Sequence, residues 1–381
     1  MTSRVEAAAR ERLAYITLAL VPGVGQARLR ALLDEFGSAD GALAAPFARL
    51  CTVRGMSGAA ATAVSEARVH TAEQALLAAD RLGGTVLVPG DRQFPQVLEN
   101  IPEPPTLLFA LGDLALLTRP AVAVVGSRAP TMYGVDVCRR IVGLAAAAGL
   151  VVISGMARGL DATAHEQALA LRGGTIGVLG NGLGIVYPAA NRRLYDRMIE
   201  SGLLITEFPP GERPNAGSFP RRNRLISGLS AVTVVVEAAV NSGALITADA
   251  AGEQGRDVLG VPGPITSPTS AGVNRLLRDG VAPYLEPDDL LRHYPGVSVV
   301  AERFAAAGRP RALADFPALA GAGAELARVA GLLDWDGAPL DLLAARAGMP
   351  PADLMGHLSA LEVAGFAEQL SGGRFRLAPG T

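Results

Sequence analysis

The chain has 381 residues, half of them hydrophobic and 18% charged, a composition that buries a large core and argues against disorder. A formal net charge of -2 and a pI near 6.1 exclude a protein coated in positive charge, and weigh against nucleic acid as a partner unless the charge clusters locally. All 34 basic residues are arginine, which excludes a Walker A phosphate loop and a lysine Schiff base. From the N-terminus, residues 1–75 read as short helices. The segment Leu20-Val21-Pro22-Gly23-Val24-Gly25 precedes an amphipathic stretch, Ala27 to Phe36, that stops at Gly37-Ser38. A glycine-rich hairpin between helices exposes backbone N–H groups, as in helix-hairpin-helix (SAM-like) modules that touch DNA phosphate without reading sequence. Val53-Arg54-Gly55-Met56-Ser57 repeats the spacing in degenerate form. Residues 76–117 hold Pro89, Pro95, Pro102, Pro104 and Pro105 and predict irregular structure or short edge strands.

The core of the domain spanning 76–295 begins near residue 118. Apolar runs Ala121–Val125, Val151–Ser154, Thr175–Leu179, Leu203–Thr206, Ala231–Glu237 and Val258–Val261 alternate there with helical stretches. Continuous apolar strands have both faces covered, so the fold class is α/β with a Rossmann-like parallel sheet. A linker is expected over 296–317, rich in Ala, Gly and Pro, and a winged helix over 318–381. Its helices are expected at Ala324–Leu333, Pro339–Ala347 and Ala352–Phe366, with a wing over Ala367–Leu377. The third helix carries Asp353, His357 and Glu362 and no arginine. That favours a structural or protein-contact role over base reading, although Arg374 and Arg376 in the wing keep DNA contact open.

In a parallel sheet, ligands collect beyond the carboxyl ends of the strands. After the first core strand stands Gly126-Ser127-Arg128, opening into a helix near Tyr133-Gly134, which reads as an anion site. After the second comes Ser154-Gly155-Met156-Ala157-Arg158-Gly159-Leu160-Asp161, with His165 on the same helical face as Asp161, itself expected to cap that helix. Gly180-Asn181-Gly182-Leu183-Gly184 is an incomplete dinucleotide fingerprint and supports no NAD. Phe219-Pro220-Arg221-Arg222-Asn223-Arg224 is the densest basic cluster and suits phosphate clamping beside one stacked base. Asn241 or Ser242 is expected to cap a helix facing the same crevice, and Gly272-Val273-Asn274 closes the core. Asp161 and His165 form the one plausible dyad, and no nucleophile accompanies them. Cys51 and Cys138 lack C-x-x-C spacing and the four histidines lack an H-x-x-x-H pair, so no metal and no cofactor is expected. No stretch reaches membrane length and no signal peptide is evident, so the expected location is cytoplasmic, with no membrane partner.

With these residues in place, the core resembles the DprA/Smf family of bacterial DNA-processing proteins. The likeness rests on Val125–Arg128, Ser154–His165, Thr175–Gly184 with Tyr187-Pro188 and Asn191, Phe219–Ser230, Val235–Thr247, Glu253–Gly263 and Gly272–Asn274. The resemblance implies a homodimer that binds single-stranded DNA during natural transformation, protects it and loads RecA onto it. It places Arg128, Arg222 and Arg224 on the DNA. The full set of expected DNA contacts is Gly126, Ser127, Arg128, Gly155, Arg222, Asn223, Arg224, Ser242, Gly243 and Asn274. Relatives often carry lysine after the Tyr-Pro pair; here that position is Ala189, with Arg192 and Arg193 just beyond. The segment Ala244–Gly260 is a candidate dimer face. The expected protein is a binder and not an enzyme. The alternative is a nucleotide-binding or N-glycosidic hydrolase pocket of related Rossmann-like layout; its Pro-Gly-Gly loop is missing from Val236–Gly243, although Glu237 lies nearby.

Overall fold

The computed structural model describes residues 2–297, 323–333 and 337–378. The linker expected at 296–317 falls almost wholly outside the described residues. Six helices lead the chain: α1 (Thr2–Ala19), α2 (Gln26–Phe36), α3 (Ala39–Leu43), α4 (Phe47–Leu50), α5 (Gly58–Ser65) and α6 (Val69–Arg81). Gly37 ends α2 with φ +74, a left-handed stop that glycine adopts without steric cost. The boundary expected at residue 75 lies inside α6.

Among the described residues, nine strands form the central sheet. They are β1 (Thr85–Leu87), β2 (Leu108–Gly112), β3 (Ala121–Val125), β4 (Val151–Ser154), β5 (Thr175–Val178), β6 (Leu203–Thr206), β7 (Val232–Val235), β8 (Asp257–Gly260) and β9 (Ala282–Pro283). Their spatial order is β1-β2-β6-β5-β4-β3-β7-β8-β9. Strands β3 to β9 run parallel; β2 is added antiparallel at the β6 edge, and β1 pairs antiparallel with β2 beyond it. The proline-rich stretch before the core thus widens the sheet.

Helices α7 (Met132–Ala147), α8 (Leu160–Ala170), α9 (Arg192–Ser201), α10 (Ser218–Gly228), α11 (Gly243–Glu253), α12 (Ala271–Arg278) and α13 (Pro287–Leu291) follow the strands. The two-residue period of a strand sends Ala121, Ala123 and Val125 to one face, where Leu225, Ile226, Ala244 and Val273 pack. Val122 and Val124 point to the other, against Cys138, Ile141, Leu160 and Ala164. Both faces are buried, which is why β3 is apolar at every position.

The C-terminal unit comprises α14 (Ala324–Ala330), β10 (Ala338–Pro339), α15 (Leu340–Ala347), α16 (Pro351–Val363), β11 (Ala367–Leu370) and β12 (Arg374–Leu377). Strands pair in the order β10-β12-β11, and Leu343, Leu354, Leu358, Leu361 and Phe375 form its core, as a winged helix requires.

Candidate functional site

The chain builds the sheet outward from β3 to β6, then returns to lay β7 on the opposite side of β3. The carboxyl ends of β3 and β7 therefore flank the switch point at which open α/β sheets bind ligands. The loop after β3 is Gly126-Ser127-Arg128. A Cβ at Gly126 would overlap the Leu160 side chain and crowd the Glu237 carbonyl at 3.0 Å, so glycine lets this turn lie close against α8 without displacing either. The Ser127 carbonyl accepts from Leu160 N at 3.1 Å, and its hydroxyl accepts from Ala129 N at 3.1 Å. Arg128 is left exposed at the tip.

The crevice itself is filled from within. Glu237, just past β7, is 2% exposed. Its carboxylate accepts from Thr131 N at 2.9 Å and from the Thr131 hydroxyl, and Thr131 caps α7 by accepting from Gly134 N.

Beside the crevice the structure joins Gly155 to Arg222: a Cβ at Gly155 would strike the Arg222 guanidinium. Arg222 is 5% exposed and donates to the carbonyl of Val178 at the end of β5. Burial lowers its pKa to about 10, while the Asp161 carboxylate favours the charged form and neighbouring Arg128 opposes it. Arg222 thus pins α10 to the sheet edge, which corrects the expectation that it sits on a loop as a phosphate clamp. Asp161 does not cap α8, whose N-cap position is Gly159. Its carboxylate accepts instead from Gly155 N at 3.1 Å and Ala157 N at 3.3 Å, fixing the loop after β4. Burial pushes its pKa up, and Arg222 and these N–H groups pull it back. His165 is fully buried, pairs through Nδ1 with Thr175 Oγ1 at 2.7 Å, and is pushed down to about 3 by burial and by Arg222. It faces the core.

The exposed surface is a cation–aromatic platform. Phe219 opens α10 and packs over Gly180, where a Cβ would crowd the ring at 2.8 Å. Tyr187, 47% exposed, meets it with ring centroids 5.3 Å apart at 36°. The Arg128 guanidinium lies over the Phe219 ring, 5.9 Å from its centroid. Arg158 is exposed on the neighbouring loop, which Asn191 ties down by donating to the carbonyls of Met156 and Ala157 at 3.0 and 3.2 Å. The sequence reading gave Phe219 a stacking role and missed the part of Tyr187 in the platform.

The other expected contacts mostly serve the fold. Arg224, on helix α10 and not on a loop, pairs with buried Glu207 at 2.7 Å and with Glu103 at 3.8 Å. Asn223 donates to the Gly243 carbonyl at 3.1 Å, and Ser242 caps α11 as expected. Asn274 exchanges hydrogen bonds with the backbone of Gly263, accepting at 3.3 Å and donating at 3.0 Å. In the wing, Arg376 is 4% exposed and donates to Glu368 at 3.0 Å, while Arg374 donates to the Gly337 carbonyl at 2.7 Å. At the N-terminus both hairpins form the same turn: Gly23 has φ +80 and Gly55 φ +79. Among the described residues no group of three or more His, Cys, Asp or Glu could hold a metal, and no helix is long and apolar enough to cross a membrane.

The fold and its edge define a Rossmann-like α/β core with an exposed arginine–aromatic surface at the carboxyl ends of its strands, followed by a winged helix. Residues 85–295 match the family model for DNA recombination-mediator protein A, and residues 314–373 the DprA winged helix domain. The chain belongs to the DNA recombination-mediator protein A (DprA/Smf) family. It is 39% identical to Protein Smf of Escherichia coli over 76% of this chain and 77% of that one. A putative DNA processing protein DprA of Mycobacterium tuberculosis is 37% identical over 78% of each chain. Among solved structures, DprA from Streptococcus pneumoniae superposes with a TM-score of 0.63 at 31% identity, over 73% of this chain and 95% of that one. DNA processing protein A from Helicobacter pylori, described for its single-stranded DNA binding mode, gives 0.51 at 29% identity, over 55% and 94%.

Proposed function

We propose that this chain binds single-stranded DNA without sequence preference at the carboxyl edge of its sheet, protects incoming DNA in natural transformation, and loads RecA onto it. The observation that carries this reading is the Arg128–Phe219–Tyr187 platform: a guanidinium over one ring and a second ring beside it, at the loop tips of an α/β sheet. Every base has a π-face and every nucleotide a phosphate, so such a surface takes a strand regardless of sequence. Base pairing hides those faces, which disfavours duplex. The likeness to the Helicobacter pylori protein with a single-stranded DNA binding mode supports the same reading. The protein acts as a cytoplasmic homodimer; α11, with Ile246 42% exposed, supplies the proposed face.

We also propose action by binding and not by catalysis. Asp161 and His165 are turned inward, and the hydroxyls beside them, Ser154 and Thr175, are buried and donate to the carbonyls of Val124 and Val152.

Fluorescence anisotropy with labelled oligo-dT, alone and as duplex, tests the proposal. Arg128→Ala and Phe219→Ala should each weaken single-strand binding about tenfold, given roughly 1–3 kcal/mol per stacked base; the unfolding midpoint should stay unchanged for Arg128→Ala and fall for Phe219→Ala, whose ring also packs over Gly180. Arg222→Ala should instead lower stability, by roughly 3–5 kcal/mol, because it strands Asp161 in the interior. Folded wild type that ignores oligo-dT would sink the reading, and release of base from nucleoside monophosphates would establish the hydrolase alternative.

A further inference from the structure

The N-terminus of α7 at the switch point is where a Rossmann-like core ordinarily receives phosphate, because unpaired N–H groups and the helix dipole converge there. In this chain a carboxylate already stands in that place. Glu237 Oε2 accepts from Thr131 N, and Oε1 accepts from the Thr131 hydroxyl, which in turn caps α7 through Gly134 N at 3.2 Å. Position 134 must be glycine, since a Cβ would overlap the Glu237 carboxyl group. From the far side Thr269 Oγ1 approaches Oε1 at 3.5 Å and is itself bonded to Ser267 at 2.8 Å. Tyr133 donates to the Pro262 carbonyl at 2.8 Å, drawing the 262–270 segment over the same corner. Each partner of the carboxylate is a donor, as a phosphate oxygen would require.

We propose that Glu237 is a built-in anion that takes the place of nucleotide phosphate in this core. It closes the switch point to nucleotides and joins three elements: the end of β7, the start of α7 and the 262–270 segment. By holding Thr131, it also fixes the loop that carries Gly126, Ser127 and Arg128, so Glu237 is a positioning residue for the strand-binding surface. This last part rests on the function proposed above; the occupancy of the phosphate site does not.

Replacement of Glu237 by alanine leaves a vacancy shaped for a small oxyanion. Isothermal titration of the full chain with inorganic phosphate and with formate should give saturable one-to-one binding to Glu237→Ala and none to wild type. The unfolding midpoint of the variant, lowered by loss of the carboxylate, should recover as formate saturates. Its oligo-dT affinity should fall about tenfold, as expected for losing hydrogen bonds to a charged group, and recover with formate. A folded Glu237→Ala that binds neither anion overturns the proposal. Should the alanine variant not fold, Glu237→Gln keeps the shape: its amide oxygen can still accept from Thr131 N, but its NH2 group then faces the Thr131 hydroxyl, which loses the acceptor it donated to. That variant should unfold at lower temperature than wild type, and equal stability overturns the proposal. Failure of wild type to bind oligo-dT would count against the DNA reading alone, because the anion titration requires no DNA.

Discussion

Three arginines in one run of four residues meet two environments. Arg221, exposed above the Phe208 ring, and Arg224 both reach Glu207, at 4.0 and 2.7 Å, whereas Arg222 is buried against Asp161. A helix turns about 100° per residue, so Arg222 faces away from its neighbour Arg221 while residues three apart share a face. The sequence displays the density of charge but not the helix rotation or the partners, since Glu207 lies 17 residues earlier. Arg128 was legible because a loop tip after a parallel strand has few alternatives. The role of His165 was not, because its partner Thr175 is fixed only by strand pairing. That histidine carries a testable consequence. Its folded pKa is about 3 against 6.5 in the unfolded chain. Above pH 6.5 both states are neutral there and the group costs nothing. As pH falls below 6.5 the unfolded chain binds a proton that the folded one refuses, so stability is lost progressively down to about pH 3. By pH 5 the loss is about 2 kcal/mol. Denaturation midpoints at pH 7, 6 and 5 should drop in wild type and stay flatter in His165→Asn, which retains a hydrogen-bonding partner for Thr175. Parallel curves would remove His165 from the account.

At the scale of elements, β3 to β8 could be read because burial leaves short, largely apolar runs, interrupted by single residues such as Ser154 and Thr233. Strands β1 and β2 were legible as short edge strands among the prolines, but not their place in the sheet, which depends on pairing with β6. Helix α10 was hidden by Pro220; proline is tolerated in a first turn, whose N–H groups lack intrahelical acceptors. The two N-terminal hairpins were legible as a repeat, and the structure supplies what couples them. Arg28 donates through Nη1 to the Gly23 carbonyl and through Nε to the Gly55 carbonyl at 2.8 Å. Arg28→Ala therefore should loosen both turns together. The expected loss is about 1–2 kcal/mol for two charge-assisted bonds in an open setting. Amide hydrogen exchange should quicken at 23–25 and 55–57 while β3 and β7 stay protected. Faster exchange in one hairpin alone would show that Arg28 does not couple them.

Across the whole molecule, the N-terminal unit is joined to the core through α1 and α6, whose Ala72, Ala75 and Ala79 share one cluster with Val86 and Phe109. On α1, Ile16 packs in the cluster of Val86, Phe109 and Leu204, whereas Ala14 and Leu18 pack with Leu29, Leu32 and Val64. Arg12 adds bonds to Asp91 at 2.6 Å and to the Val86 carbonyl at 2.8 Å. No broad positive field surrounds this body, because the net charge is -2 and many arginines face carboxylates. Binding of a polyanion must then come from a short local contact: Arg128 and Arg158 beside the platform, with Arg192 and Arg193 exposed at the start of α9. Four phosphate contacts at most imply a slope of log K against log salt of roughly -2 to -3 for a single strand, near -0.7 for each phosphate. The stacking part of the affinity should persist at high salt, since a base on an aromatic ring releases no counterions. Anisotropy with oligo-dT from low to high salt reads both quantities at once. A slope steeper than about -6 would require arginines well beyond the platform, and would move the binding surface to include other parts of the chain. A shallow slope in wild type that approaches zero in Arg128→Ala/Arg158→Ala would place the phosphate contacts on these two loops.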